Sequence, residues 1–249
     1  MVEIKTAAEL AKIRQASKIV ARTLELLKSR IRPGVATADL NALAESEIRK
    51  NNAVPAFLGY RGYPATLCVS INEEVVHGIP SAQRFLKSGD VVSLDLGAIF
   101  EDFYGDAALT VPVGEVKPEF SRLIGITEKS LARALAAVKS GARLGDVCHA
   151  VESFVVSEGM SVVREFTGHG IGRRLHEDPS IPNYGKPGSG VTLKAGMTLA
   201  IEPMVCLGRP EILIKNDGWT AVSVDGSCSA HFEHTVAVTE NGCEILSRV

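Results

Sequence analysis

The chain has 249 residues, 45% of them hydrophobic and 22% charged, with a formal net charge of −2 at pH 7. That balance excludes a basic footprint for nucleic acid or for an anionic membrane, while the length allows one large core or two closely joined halves. Five widely spaced cysteines without a C-x-x-C pair exclude a disulfide framework and a zinc knuckle. The N-terminus lacks a signal-peptide core and no run of about 18 apolar residues occurs, so a cytoplasmic location is expected.

In chain order, Thr6 and Glu9 form a capping box that opens an amphipathic helix running to about Ser29, before Pro33-Gly34. Thr37 is expected to cap a second helix that ends near Asn51. Residues 55–63 are aromatic and interrupted by Gly and Pro, which reads as a loop or short edge strand. Residues 66–72 alternate like a strand, and His77-Gly-Ile-Pro80 follows in a turn. Pro118 begins a long helix to about Lys139, and 144–157 forms another. Strands are expected at 161–165, 197–205, 212–215 and 232–238.

Residues 91–113 form the centre of this plan. Two apolar, β-branched runs flank Glu101-Asp102, the pattern of an antiparallel hairpin. Each run carries an acid, Asp95 or Asp106, where an unpaired charge is costly and must be protonated, paired or bound to metal. If Phe100 and Phe103 close the turn, Asp95 lies opposite Ala108 with Asp106 as its diagonal neighbour. Gly97 or Gly105 marking a bulge would change that register.

The order of two helices then strands occurs twice. Gly34 and Asp39 recur at one constant offset as Gly141 and Asp146, and Lys87, Gly89 and Asp95 recur at the same offset as Lys194, Gly196 and Glu202. Asp106 recurs as Glu233 after a longer interval. The expectation is a single α+β catalytic domain, 1–249, built as pseudo-two-fold halves at approximately 6–115 and 116–240. Asp95, Asp106, Glu202 and Glu233 then converge near the axis.

Four carboxylates in one place repel unless cations balance them, and two divalent ions do so charge for charge. His169, in Thr167-Gly-His-Gly-Ile-Gly172, is the best imidazole to complete the set. Hard oxygen ligands with one nitrogen fit Mn, Fe(II), Co or Zn. Two such ions activate water at neutral pH, which selects hydrolysis. His77 and His176 are suited to hydrogen-bond a scissile carbonyl or move a proton. The phosphate-loop patterns G-x-G-x-x-G and G-x4-G-K-[ST] do not fit GHGIG.

The motifs NEEVVHGIP, SLDLGAIFEDFYGDAA, TGHGIGRRLHEDP, AIEPMV, KNDGWTA and HFEHTVAVTENG, in this order, resemble those of type I methionine aminopeptidases. The resemblance spans essentially the whole chain and implies the pita-bread fold. It implies that Asp95 chelates one metal, that Asp106 and Glu233 bridge, and that His169 and Glu202 complete the second site. Glu202 would also act in catalysis, with His77 and His176 contacting substrate. Phe57, Tyr60, Tyr63, Cys68, Leu175 and Trp219 would form the methionine pocket. Asn72, Glu74 and Ser229 match a loop region that can hold a monovalent cation.

The implied activity is removal of the N-terminal methionine of nascent polypeptides when the second residue is small. A transient ribosome contact and a monomeric state go with it. The interval between Glu202 and Glu233 leaves no room for the long helical insertion of type II enzymes. Two rivals remain at this point, a proline-specific aminopeptidase or prolidase of the same fold and a metal-free peptide-binding module. A peptide panel separates the first, and metal analysis the second.

Overall fold

The computed structural model describes residues 2–249. Thr6 accepts the Glu9 amide at 3.3 Å while Glu9 takes the Thr6 N–H at 2.9 Å, so α1 (Ala7–Lys28) starts at its capping box and stops at Ser29. In α2 (Thr37–Lys50) the cap position falls on Ala36, with no side-chain capping bond. The fully buried Thr37 hydroxyl instead donates to the Ser81 carbonyl at 3.0 Å and accepts the Ser81 amide at 2.8 Å. A tertiary partner has taken the oxygen that the sequence assigns to the helix end.

Five strands follow in the first half: β1 (Val54–Pro55), β2 (Leu67–Ile71), β3 (Glu74–Val76), β4 (Val91–Phe100) and β5 (Phe103–Pro112). The β4–β5 ladder pairs Phe100 with Phe103, Asp95 with Ala108 and Gly97 with Asp106, without interruption. Glu101 and Asp102 both adopt positive φ, 45° and 67°, as a two-residue hairpin turn of the right twist demands. The register is the one that the phenylalanine pair implies, and neither glycine makes a bulge.

Close approach explains those glycines. A Cβ on Gly105 would meet the Ser17 amide nitrogen of α1 at 2.4 Å, and one on Gly97 would meet the Phe57 ring at 2.7 Å. Helix backbone cannot step aside as a side-chain tip can. Gly105→Ala is therefore expected to destabilise the fold by about 1–3 kcal/mol through overpacking, read as a fall in the urea midpoint at unchanged slope.

The second half begins with α3 (Pro118–Ala137), whose first turn carries Pro118, and α4 (Leu144–Ser157). The first of these ends two residues before the predicted Lys139, because Val138 is already extended. Its strands are β6 (Ser161–Val162), β7 (Thr167–Gly170), β8 (Glu177–Pro182), β9 (Thr198–Ile201), β10 (Met204–Cys206), β11 (Ile212–Ile214), β12 (Ala221–Ser223), β13 (Ser229–His231), β14 (Glu233–Val238) and β15 (Cys243–Ile245). The run expected as one strand, 197–205, breaks at Glu202-Pro203. Proline has no N–H for a ladder, and the chain leaves the large sheet there to enter a three-stranded one, β13-β10-β6. A third sheet has the order β11-β12-β3.

The large sheet has nine strands in the order β1-β4-β5-β14-β9-β7-β8, with β2 also on β4 and β15 on β14, and all of its pairings are antiparallel. Alternation gives each strand two faces. Val92, Leu94 and Leu96 pack with Ile19, Leu24 and Leu27 of α1 and Leu40 and Ile48 of α2. Leu199, Ile201 and Val236 share a core with Leu123, Leu131, Val147 and Val151 of α3 and α4. Burying each such side chain contributes roughly 1.5–3 kcal/mol. A one-residue slip would exchange them for Asp95 or Asp106, so the register is strongly specified.

Candidate active site

The face of the sheet opposite the helices gathers the predicted acids. Asp95 on β4 and Glu233 on β14 both pair with Ala108 of β5, one from each side. Asp106 lies two residues along β5 on the same face. Ala200 of β9 pairs with Thr235 on one side and His169 on the other, and Glu202 follows two residues later. The small, buried Ala108 and Ala200 thus occupy the rows between the five polar side chains and leave room above them. Ligand atoms of Asp106, His169 and Glu233 all lie within 4.8 Å of one another.

These groups are poorly satisfied by protein alone. Asp95 Oδ1, Asp106 Oδ1 and Glu233 Oε1 are buried without a hydrogen-bond partner. Burial, then the neighbouring acids, holds Asp106 and Glu233 well above the usual carboxylate range. Burial likewise raises Glu202, and raises Asp95 despite the counteracting His231.

His169 lies 3.6 Å from Glu202, but burial depresses its pKa to about 3, so this contact is no salt bridge. Its Nδ1 is 2.9 Å from the Gly170 carbonyl, which can only accept, so Nδ1 carries the proton and Nε2 presents its lone pair to Glu202. An imidazole oriented in this way, among orphaned carboxylate oxygens, fits a divalent cation.

A cavity of about 240 Å³ opens over the cluster, and all thirteen site residues expected from sequence line it. Its apolar end consists of Phe57, Tyr60, Tyr63, Cys68, Leu175 and Trp219. The Tyr63 and Trp219 rings meet edge-on at 5.1 Å. The Tyr63 hydroxyl is within reach of the carbonyls of Leu67 (3.2 Å) and Gly78 (3.1 Å), to either of which it can donate. Cys68 pairs with Asp95 across the β2–β4 ladder, and burial pushes its thiol up, so it stays protonated.

His77 sits at a φ of 60°, edge-on to Phe166 and Trp219, with burial lowering its pKa to about 4. The His176 ring is tilted by 55° to that of His169 with centroids 4.3 Å apart, and its Nδ1 is 2.7 Å from the Tyr60 hydroxyl. Burial and the charge of Arg61 lower its pKa. Away from the cavity, Ser229 Oγ contacts the carbonyls of Asn72 (3.2 Å) and Glu74 (2.9 Å), so the three residues of the expected monovalent-cation region do meet.

Sequence reasoning overlooked His231. It is 1% exposed, its Nε2 lacks a hydrogen-bond partner, and it lies 3.5 Å from Glu202. Its place two residues before Glu233 gave no clear signal, because His231 ends β13 of the three-stranded sheet and Glu233 begins β14 of the large one. Arg61, Val76, Phe166, Thr167 and Met204 also line the cavity without an individual signal of their own.

Fold and site together define a metal-dependent hydrolase of the pita-bread class. Residues 11–240 match metallopeptidase family M24, and the chain belongs to that family. It is 49% identical over 249 residues, 100% of both chains, to methionine aminopeptidase 1 of Bacillus subtilis. The crystal structure of methionine aminopeptidase from Thermotoga maritima matches with a TM-score of 0.99 at 50% identity, covering 100% of both chains. Prolidase from Pyrococcus furiosus matches with a TM-score of 0.81 at 24% identity, over 99% of this chain and 65% of that one, which is likeness of fold alone.

Proposed function

We propose that this protein hydrolyses the N-terminal methionine from peptides and nascent chains whose second residue is small. The observation that carries this reading is the closed apolar end of the cavity beside an orphaned carboxylate cluster. An unbranched thioether suits such a pocket, and contact with its aromatic walls favours sulfur by about 0.3–1.5 kcal/mol. The full-length likeness to methionine aminopeptidases supports the same substrate over a proline dipeptide.

Asp95, Asp106, His169, Glu202 and Glu233 would hold two divalent ions, drawn from Mn, Fe(II), Co or Zn. When bound, such ions supply a Lewis acid and lower the pKa of water towards about 7. The acidic cluster also receives the free amine of the substrate. His77 and His176, both neutral at pH 7 because burial depresses them, can donate a ring N–H to the oxygen that gains charge. Glu202 takes up the proton released by the attacking water at a carboxylate oxygen. The working unit would be a single domain, with halves at 6–115 and 116–240 contributing acids in pairs. A monovalent cation near Asn72, Glu74 and Ser229 would stiffen the loop behind His77.

In the cell, the reading is of a cytoplasmic monomer in passing contact with the ribosome; no helix among the described residues is long and apolar enough to cross a membrane. Met-X-Gly peptides test the activity. The second side chain would lie against the His169 strand and the His176 loop, where a small residue is expected to fit. Gly, Ala, Ser, Thr, Pro, Val or Cys is expected there. A clash discriminates more strongly than a missing methylene, worth about 1–3 kcal/mol. The value of kcat/KM should therefore fall at least tenfold from Val to Leu at the second position. A flat profile, or equal cleavage of Leu-Ala and Met-Ala, would overturn the reading, and preferential cleavage of Ala-Pro would favour a prolidase.

A further inference from the structure

Arg61 lies where the cavity meets a second depression of about 380 Å³, and the two share Thr167, His169 and His176. Its backbone occupies the left-handed region at a φ of 49°, between Gly59 at 82° and Gly62 at 91°. That turn presents the exposed guanidinium 5.5 Å from the Tyr60 ring centroid, in a cation–π arrangement. Tyr60 in turn reaches His176 Nδ1 at 2.7 Å. The charge is therefore anchored where the two depressions meet.

The charge balance of the second depression is uneven. Arg61, Arg174, Glu177 and Asp178 all line it. Glu177 is already committed, to Lys5 Nζ at 2.6 Å and to the Arg174 amide at 3.1 Å. Two guanidiniums thus stand against one further carboxylate, Asp178. A peptide with methionine in the apolar end and its first carbonyl near His77 and His176 leaves the cavity over this rim. An extended chain advances at most about 3.3–3.6 Å per residue, and Arg61 lines both the cavity and the depression beside it, so the third residue would be the one to pass its guanidinium.

We propose that Arg61 forms an additional substrate subsite that favours a carboxylate on the third residue of the peptide. This inference rests on the methionine-aminopeptidase reading. Exposed charge pairs are individually weak, but attraction of one sign and repulsion of the other add when the two substrates are compared. The expected selectivity is roughly three- to tenfold in kcat/KM at low ionic strength, and salt should erode it.

The test uses the metal-loaded enzyme with C-terminally amidated Met-Ala-Glu-Gly, Met-Ala-Gln-Gly and Met-Ala-Lys-Gly. The wild type should prefer Glu over Lys, and Arg61→Lys should keep the preference. In Arg61→Gln the ratio should approach one, and in Arg61→Glu it should reverse. An unchanged ratio in both of the last two variants, with methionine still released, overturns the subsite alone. No release from any peptide by the wild type overturns the activity reading and the subsite with it.

Discussion

Asp106→Ala is expected to lose bound metal and turnover together, whereas His176→Ala and His77→Ala keep the metal and lose turnover alone. The Asp106 carboxylate is buried at the centre of the acid face, with Oδ1 unpartnered and its ligand atom within 4.8 Å of those of His169 and Glu233. The two histidines line the cavity but are absent from that group. A positioned donor or proton-transfer group contributes about 10²–10⁴-fold, which sets the expected fall in kcat for each histidine. Removing Asp106 should not unfold the metal-free chain, because it takes one repelling carboxylate out of a buried set. Metal content per chain, kcat and a melting curve should be measured on all three variants. Metal lost from His176→Ala would show that the roles are wrongly divided.

Stripping the metal should lower the melting temperature at pH 7.5, and that penalty should shrink as the pH falls towards 6.5. A ligand that binds only the folded state stabilises it in proportion to the logarithm of its concentration over Kd, about 2.7 kcal/mol at 100 Kd. Chelation removes this and leaves four facing carboxylates. In the metal-free fold Asp95 rises from 3.8 to about 7 and Glu202 from 4.5 to about 8, with Asp106 and Glu233 also raised. These folded values exceed the unfolded ones, so between them the folded state binds more protons, and stability decreases with rising pH. Lowering the pH from about 8 to 6.5 should thus raise the melting temperature of the chelated protein.

Below about 6.5 the buried histidines oppose that trend. His77 and His169, depressed to about 4 and 3, stay neutral while their unfolded counterparts take up protons. The metal-loaded protein should show no gain from 8 to 6.5, because protons compete with metal for the same oxygens. Differential scanning calorimetry on chelated and loaded samples across this range reads both curves. Superimposable curves would rule out a repelling carboxylate cluster.

What was legible in the chain follows from the range of each signal. A capping box is complete within four residues, so the start of α1 was readable, whereas Thr37 looked like a cap until Ser81 claimed its hydroxyl. The hairpin register followed from the two phenylalanines beside a polar turn. The glycines within it were ambiguous, because the reason for Gly105 is the backbone of Ser17, which is remote in sequence. Strands β7 and β8 escaped notice because Thr167-Gly-His-Gly is half glycine and Glu177–Pro182 carries two prolines, with one β-branched residue in each.

By itself the sequence singled out the acids and histidines that line one cavity, because acids inside apolar strands and a repeated spacing are anomalies that need no partner to be seen. It also determined the helices and the central hairpin, whose signals are local or strictly periodic. Only the tertiary structure decided that the 197–205 run divides between two sheets at Pro203, that His231 joins Glu202, and that Arg61 stands between two cavities. Each of these depends on contacts between segments distant in the chain. Such contacts are set by which strands pair and how the halves pack, and no local window of residues contains that information.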